Sequence, residues 1–93
     1  MQRIVSSVKS VVTTGAGTVL KPETGNVGYV RIENKDATNP IYVHHGDDAP
    51  TVANGAFVDA LKSIVINPAN GRVDNRIIAI ATGGTVLAIV DIG

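Results

Sequence analysis

Turn-forming residues cut this chain into pieces that suit strands and little else. Gly15-Ala16-Gly17, Gly25-Asn26, Asn39-Pro40, Asn54-Gly55, Asn70-Gly71 and Gly83-Gly84 recur along its length. Gly and Asn tolerate positive φ, so each of these favours a turn. Between them lie strand-like runs at Ile4–Thr13, Thr18–Leu20, Gly28–Glu33, Ile41–His44, Lys62–Ile66, Arg76–Ala81 and Thr85–Ile92. None holds a helical period. The one helix-tolerant stretch, Val52–Leu61, has Gly55 inside it. The pattern predicts an all-β domain, a small antiparallel β-sandwich or barrel of about six to eight short strands. Residues 1–20 read equally as a first strand or as an extended N-terminal arm, with the compact core in 27–93.

The apolar content supports strands. It is 44% of 93 residues, nearly all Val, Ile, Ala and Leu, with two Tyr, one Phe and no Trp. β-branched side chains lose freedom in helices and pack well on a pleated surface. The length suits one domain, and a domain this short has a thin margin of stability. Cysteine is absent, so disulfides cannot widen that margin and self-association is the expected remedy. Eight basic residues balance eight acidic ones, and the bases are scattered singly. A phosphate-binding surface shows a basic excess, so nucleic acid is not an expected partner. No apolar run approaches the roughly 20 residues that span a bilayer. The stretch Met1–Val12 lacks the continuous apolar core of a secretory signal, so no membrane association is expected.

The strands differ in kind. In Gly28–Glu33, Tyr29, Arg31 and Glu33 alternate with Gly28, Val30 and Ile32, as when one face meets the core and the other water. The last two runs are apolar on both faces. Ile78 and Ile80 oppose Ile77, Ala79 and Ala81; Val86, Ala88, Val90 and Ile92 oppose Leu87 and Ile89. Read as a C-terminal hairpin joined by Thr82-Gly83-Gly84, these strands need cover on a second face. Ile77, Ala79, Leu87 and Ile89 are therefore the candidate oligomer interface. The other reading makes them central sandwich strands covered by loops.

Catalytic chemistry is hard to place. His44-His45-Gly46-Asp47-Asp48 is the densest polar cluster. Neighbouring residues on a strand point to opposite faces, so His44 and His45 do not readily share one ion, and the chain has no third His. The segment reads as a strand end and a polar bend without a metal. No Ser lies in a G-x-S-x-G context. Gly15-Ala16-Gly17 lacks the third Gly and the helix of a dinucleotide fingerprint. Neither an enzyme nor a cofactor is expected. The long connection from Asp47 to Val58 carries the chain's one Phe. Phe57 reads as a plug that pins this loop to the core or as an interface anchor, and Asp47, Asp48 and Phe57 are the candidate loop contact.

From Asn39 onward the chain resembles small β-rich proteins encoded in tailed-bacteriophage structural gene clusters, among them head-decoration (cement) and head-fibre proteins. The matching pieces are Asn39-Pro40-Ile41-Tyr42-Val43, Gly46-Asp47, Thr51 and Asn54-Gly55, then Lys62–Ile66 and the two last runs. Upstream, Gly28-Tyr29-Val30-Arg31-Ile32-Glu33-Asn34 matches the group's preceding strand, which usually ends at Asn. Two positions depart from the pattern. His44-His45 stands where the group commonly has paired Gly, and Ala60-Leu61-Lys62-Ser63 where it often has a Gly-Glu turn.

The resemblance implies a non-enzymatic virion component, made in the host cytoplasm and carried on the capsid surface. Its implied partners are copies of itself, with a trimer favoured, and the major capsid protein lattice. The candidate capsid contact is the arm-like stretch, with Ile4, Val5, Val8, Val11 and Val12 available for edge pairing. The alternative from another class is a carbohydrate-binding or adhesion module. Such sites stack sugars on exposed aromatic rings, and Tyr29, Tyr42 and Phe57 are the rings on offer.

Overall fold

A computed structural model describes residues 5–11, 17–21, 28–46, 50–51, 53–66 and 76–93. The β-branched runs become eight strands: β1 (Val5–Val11), β2 (Thr18–Lys21), β3 (Val30–Asn34), β4 (Ile41–His45), β5 (Ala56–Val58), β6 (Ser63–Ile66), β7 (Ile77–Ala81) and β8 (Val86–Ile92). Every pairing is antiparallel. One sheet has the order β1-β8-β3-β6 and the other β2-β7-β4-β5. Val11, Val30, Ile32, Val86, Ala88 and Val90 from the first sheet meet Leu20, Ile41, Val43, Val58, Ile77, Ala79 and Ala81 from the second in one buried core. The fold is a small β-sandwich. Only β4 and β5 are consecutive strands within one sheet; every other connection crosses between sheets. Eight strands wound in this order are a jelly roll.

The crossing connections correct the hairpin reading of the C-terminal runs. β7 lies in one sheet and β8 in the other, so their outward faces look away from each other. Both are second from an edge, with a strand on either side. Ile77 and Ala79 are fully buried in the core. They face the opposite sheet and cannot meet another subunit, so the outward residues of β7 are Ile78 and Ile80. Leu87, 52% exposed, does face outward, and Ile89 shares its face of β8.

The N-terminal stretch is a strand over 5–11. β1 pairs with β8 from Val5↔Ile92 to Val11↔Val86. Val11 is fully buried, which removes it from the capsid-contact set, because its alternation places it on the inner face. Val8 is 63% exposed. Ile4 and Val12 lie outside the described residues, as do Asp47 and Asp48. The helix-tolerant stretch holds strand β5. Phe57 is exposed on it, and the buried residue that ties β5 to the core is Val58.

One buried polar group joins the two sheets. Asn34, fully buried at the end of β3, donates through Nδ2 to the carbonyls of Asn39 (2.8 Å) and Val58 (3.1 Å). Its Oδ1 accepts from the Asp36 amide at 2.8 Å. Asp36 in turn accepts from the amides of Thr38 (2.8 Å) and Asn39 (2.9 Å). Those amide bonds hold the Asp36 carboxyl below its usual range. Glu33 is lowered too, first by its bond from Arg31 and then by Lys35. A carboxyl lowered in the folded state contributes stability above its unfolded pKa and loses it as pH falls through the folded one. Urea midpoints are therefore expected to be flat near neutrality and to fall as pH drops below about 4, the ordinary carboxylate value. Asp36→Asn should flatten part of that fall.

Candidate contact face

The outward face of the β1-β8-β3-β6 sheet gathers residues that lie far apart in the chain. Two rows cross it. Val8 on β1 sits opposite Ile89 on β8, which sits opposite Glu33 on β3, followed by Ser63 on β6. The next row runs Ser6, Asp91, Arg31, Val65. Ser10 lies opposite Leu87 at one end. Alternation puts all of these on the side away from the core. Val8 and Leu87 are exposed apolar members with Ile89 half-buried beside them, and Val65 is a further exposed apolar member at the β6 edge.

The charged half of this face is internally neutral. Arg31 bridges Glu33 at 2.8 Å and Asp91 at 3.3 Å, and Lys35 reaches Glu33 at 3.2 Å. The Ser6 hydroxyl donates to Asp91. Such half-exposed ion pairs add little to folding stability. They do pair two cations with two anions, so a neutral surface could cover the face without stranding a charge. The structure thus brings Leu87 and Ile89 of the candidate oligomer interface together with Val8 of the candidate capsid contact, in one apolar patch beside a neutral polar strip. Ile77, Ala79 and Val11 are not part of it.

The opposite sheet has a different outward face. Ile80, Tyr42 and Phe57 form a row across β7, β4 and β5, and Val19, Ile78 and His44 form another across β2, β7 and β4. The Tyr42 and Phe57 rings lie 5.5 Å apart between centroids, inclined at 56°, within the range of a favourable aromatic pair. Ile78 is nearly covered although it faces outward, at 3% exposure. Gly17 lies against it: a Cβ there would sit 2.6 Å from Ile78 Cγ2, and Gly17 has φ +73°. Both the approach and the backbone angle call for glycine. Tyr29 belongs to the other sheet's side, against Gly93, so the three aromatic residues do not converge. His44 and His45 point to opposite sides of β4. Among the described residues there is no pocket and no group of three His, Asp or Glu that could hold a metal.

Sequence reasoning missed three exposed apolar residues. Val19 (44%), Leu61 (60%) and Val65 (56%) sit on or beside strands at the sheet edges. Val65 carried a signal, since Ser63-Ile64-Val65-Ile66 reads as apolar on both faces. The Arg31–Asp91 pair had none, because it depends on the β3–β8 register. Compared with known protein families and with curated proteins, the chain matches none.

Proposed function

We propose that this protein is a non-enzymatic decoration (cement) protein of a tailed-bacteriophage head, made in the host cytoplasm and seated on the major capsid protein lattice. The observation that carries the reading is the outward patch of Val8, Leu87 and Ile89 beside its neutral charged strip. A small domain that exposes apolar side chains on a flat sheet, with its neighbouring charges already paired, suits a protein partner better than a phosphate or a small solute. Such a protein stabilises a shell by mass action, because it binds the assembled lattice in preference to its separated parts. Jelly rolls serve in viral capsid domains and in lectins alike; that analogy is compatible with the reading and does not choose a function.

Cosedimentation with purified phage heads tests it. The protein should pellet with the heads, and Leu87→Asp or Val8→Asp should weaken binding by at least about tenfold, the equivalent of about 1.4 kcal/mol, with the far-ultraviolet spectrum unchanged. Binding that survives both substitutions would remove this face from the proposal.

The Tyr42–Phe57 pair, with Phe57 exposed and Tyr42 half-buried, favours a second reading, an adhesion module that stacks a sugar on the other sheet. A glycan array separates the two. Binding to a glycan that Phe57→Ala abolishes, with no affinity for heads, would replace the capsid reading.

A further inference from the structure

Among the described residues the sandwich has four edge strands, and three of them carry a feature that discourages strand addition. On β1, Lys9 has inner-face parity and lies opposite Ala88. β2 has an irregular register between Val19 and Lys21 and buries Lys21. β5 is only three residues long. Inward-facing charge, bulges and short length are the usual protections of a sheet edge. β6, four residues long, has neither the charge nor the bulge: Ser63-Ile64-Val65-Ile66 is uncharged, unbroken in register and free of proline.

The hydrogen-bond pattern shows what this edge displays. The Asn34 amide donates to the Lys62 carbonyl at 2.8 Å, in register with the β3–β6 ladder. Bonded and non-bonded pairs alternate in an antiparallel ladder, so Ile64 and Ile66 also turn their backbone groups toward β3. On the other side of β3, the Lys35 amide donates to Leu87 and the Tyr29 amide to Gly93, which fits the same alternation. The amides and carbonyls of Ser63 and Val65 therefore point away from the sheet. Among the described residues, no strand pairs with that edge.

The turn into β6 adds a second observation. Lys62 donates its amide to the Asp59 carbonyl at 3.0 Å, and Leu61 within that turn has φ 61°. Leucine is strained in the left-handed region, where Gly or Asn fits without cost. This leucine is also 60% exposed. An exposed apolar side chain kept at a strained position supports a contact role for Leu61.

We propose that β6 pairs with β6 of a second copy across a two-fold axis, joining the two four-stranded sheets into one of eight. The chosen register sets Ile64 opposite Ile64 of the second copy and Ser63 opposite Val65 of the second copy. Every outward amide of Ser63 and Val65 then meets an outward carbonyl. Ile64, already packed against the core, meets its equivalent on the inner face, so the two cores become continuous. The charges permit this pairing. The strands run antiparallel, so the two Lys62 residues lie four positions apart in register, about 13 Å along the strand. That exceeds the screening length of about 8 Å at physiological salt. An isologous contact of this kind gives a dimer, in place of the trimer that the resemblance implied. It does not depend on the lattice reading, which uses the outward face of the same sheet.

The test is the mass in solution by light scattering, together with hydrogen exchange at single amides. The full chain should read twice its monomer mass at about 100 μM, with the Ser63 and Val65 amides protected and their exchange quickening on dilution. Val65→Pro removes an outward donor and leaves the β3–β6 bonds in place; Val65→Lys adds a charge at the same point without altering the backbone. Both should give monomers. Leu61→Asn should raise the melting midpoint of the fold and weaken the dimer. Leu87→Asp should stay dimeric while losing heads, which separates this proposal from the lattice reading. A monomer or trimer mass for the full chain, or unprotected Ser63 and Val65 amides in a dimer, would overturn it. So would a dimer that survives Val65→Lys.

Discussion

Asn34→Ala is expected to lower folding stability by about 3–5 kcal/mol, from the roughly 1–3 kcal/mol that each buried group costs when left without a partner. The side chain bonds three backbone groups; truncation strands the buried Val58 carbonyl and removes the partner of two part-buried groups. The Val58 carbonyl belongs to β5 in one sheet, while Asn34 ends β3 in the other. The Asn39 carbonyl and the Asp36 amide shape the connection between β3 and β4. Small domains are stable by only about 5–15 kcal/mol, so a large share of the total rests on one amide. Asn34→Asp should fare no better, because a carboxylate cannot donate to the two carbonyls. The measurement is a urea midpoint at unchanged slope. A loss below about 1 kcal/mol, the net worth of one ordinary hydrogen bond, would show that water replaces these bonds and that the two sheets do not rely on them.

Ile32→Ala is the second large effect, an expected loss of about 2–5 kcal/mol for a fully buried isoleucine. Ile32 sits mid-strand on β3, opposite Val90 on one side and Ile64 on the other. It is fully buried. Both flanking strands are held in ladders, so the surroundings can collapse only partly into the space left behind. Leu87→Ala on the outward face is the control and should cost about 1 kcal/mol or less. If the two substitutions proved equal, either the core would be looser than its burial indicates or the outward face would already be covered in solution. Light scattering on the same samples tells these apart.

Much of this architecture was legible because strand periodicity is short. Seven of the strands match the runs between turn residues, with β2, β3 and β4 each running one residue past the expected end, and the inward placement of Val30 and Ile32 follows from alternation with Arg31 and Glu33. β5 escaped notice because three residues after an Asn-Gly turn are too few to show a period. The two-sided apolar pattern marks burial on both faces of β7, where Ile77, Ala79 and Ile78 are all covered, but not of β8, where Leu87 is exposed; and the residues expected to face outward on β7, Ile77 and Ala79, face the core. Thr82-Gly83-Gly84 signals a change of direction, and that signal is the same for a hairpin and for a step between sheets. Local sequence cannot distinguish them; strand order does. The contact face was legible only in pieces. Alternation alone groups Leu87 with Ile89 on β8, and the β1–β8 register is what makes Val8 their neighbour.

That register also constrains how the chain reaches its fold. β8 lies between β1 and β3, so a strand made after both of its neighbours is interior to its sheet, and Val5 is held opposite Ile92. Among the described residues, β1 has no partner in its sheet until β8 has been made. Closing so long a loop costs entropy before any pairing repays it, which places such topologies in the millisecond-to-second range of folding times. During that interval β3 lacks one neighbour and β1 lacks its only one, leaving unpaired β-rich edges in the nascent chain. A protein needed in many copies at once would depend on dilution, chaperones or rapid capture by its partner to pass through that stage without aggregating.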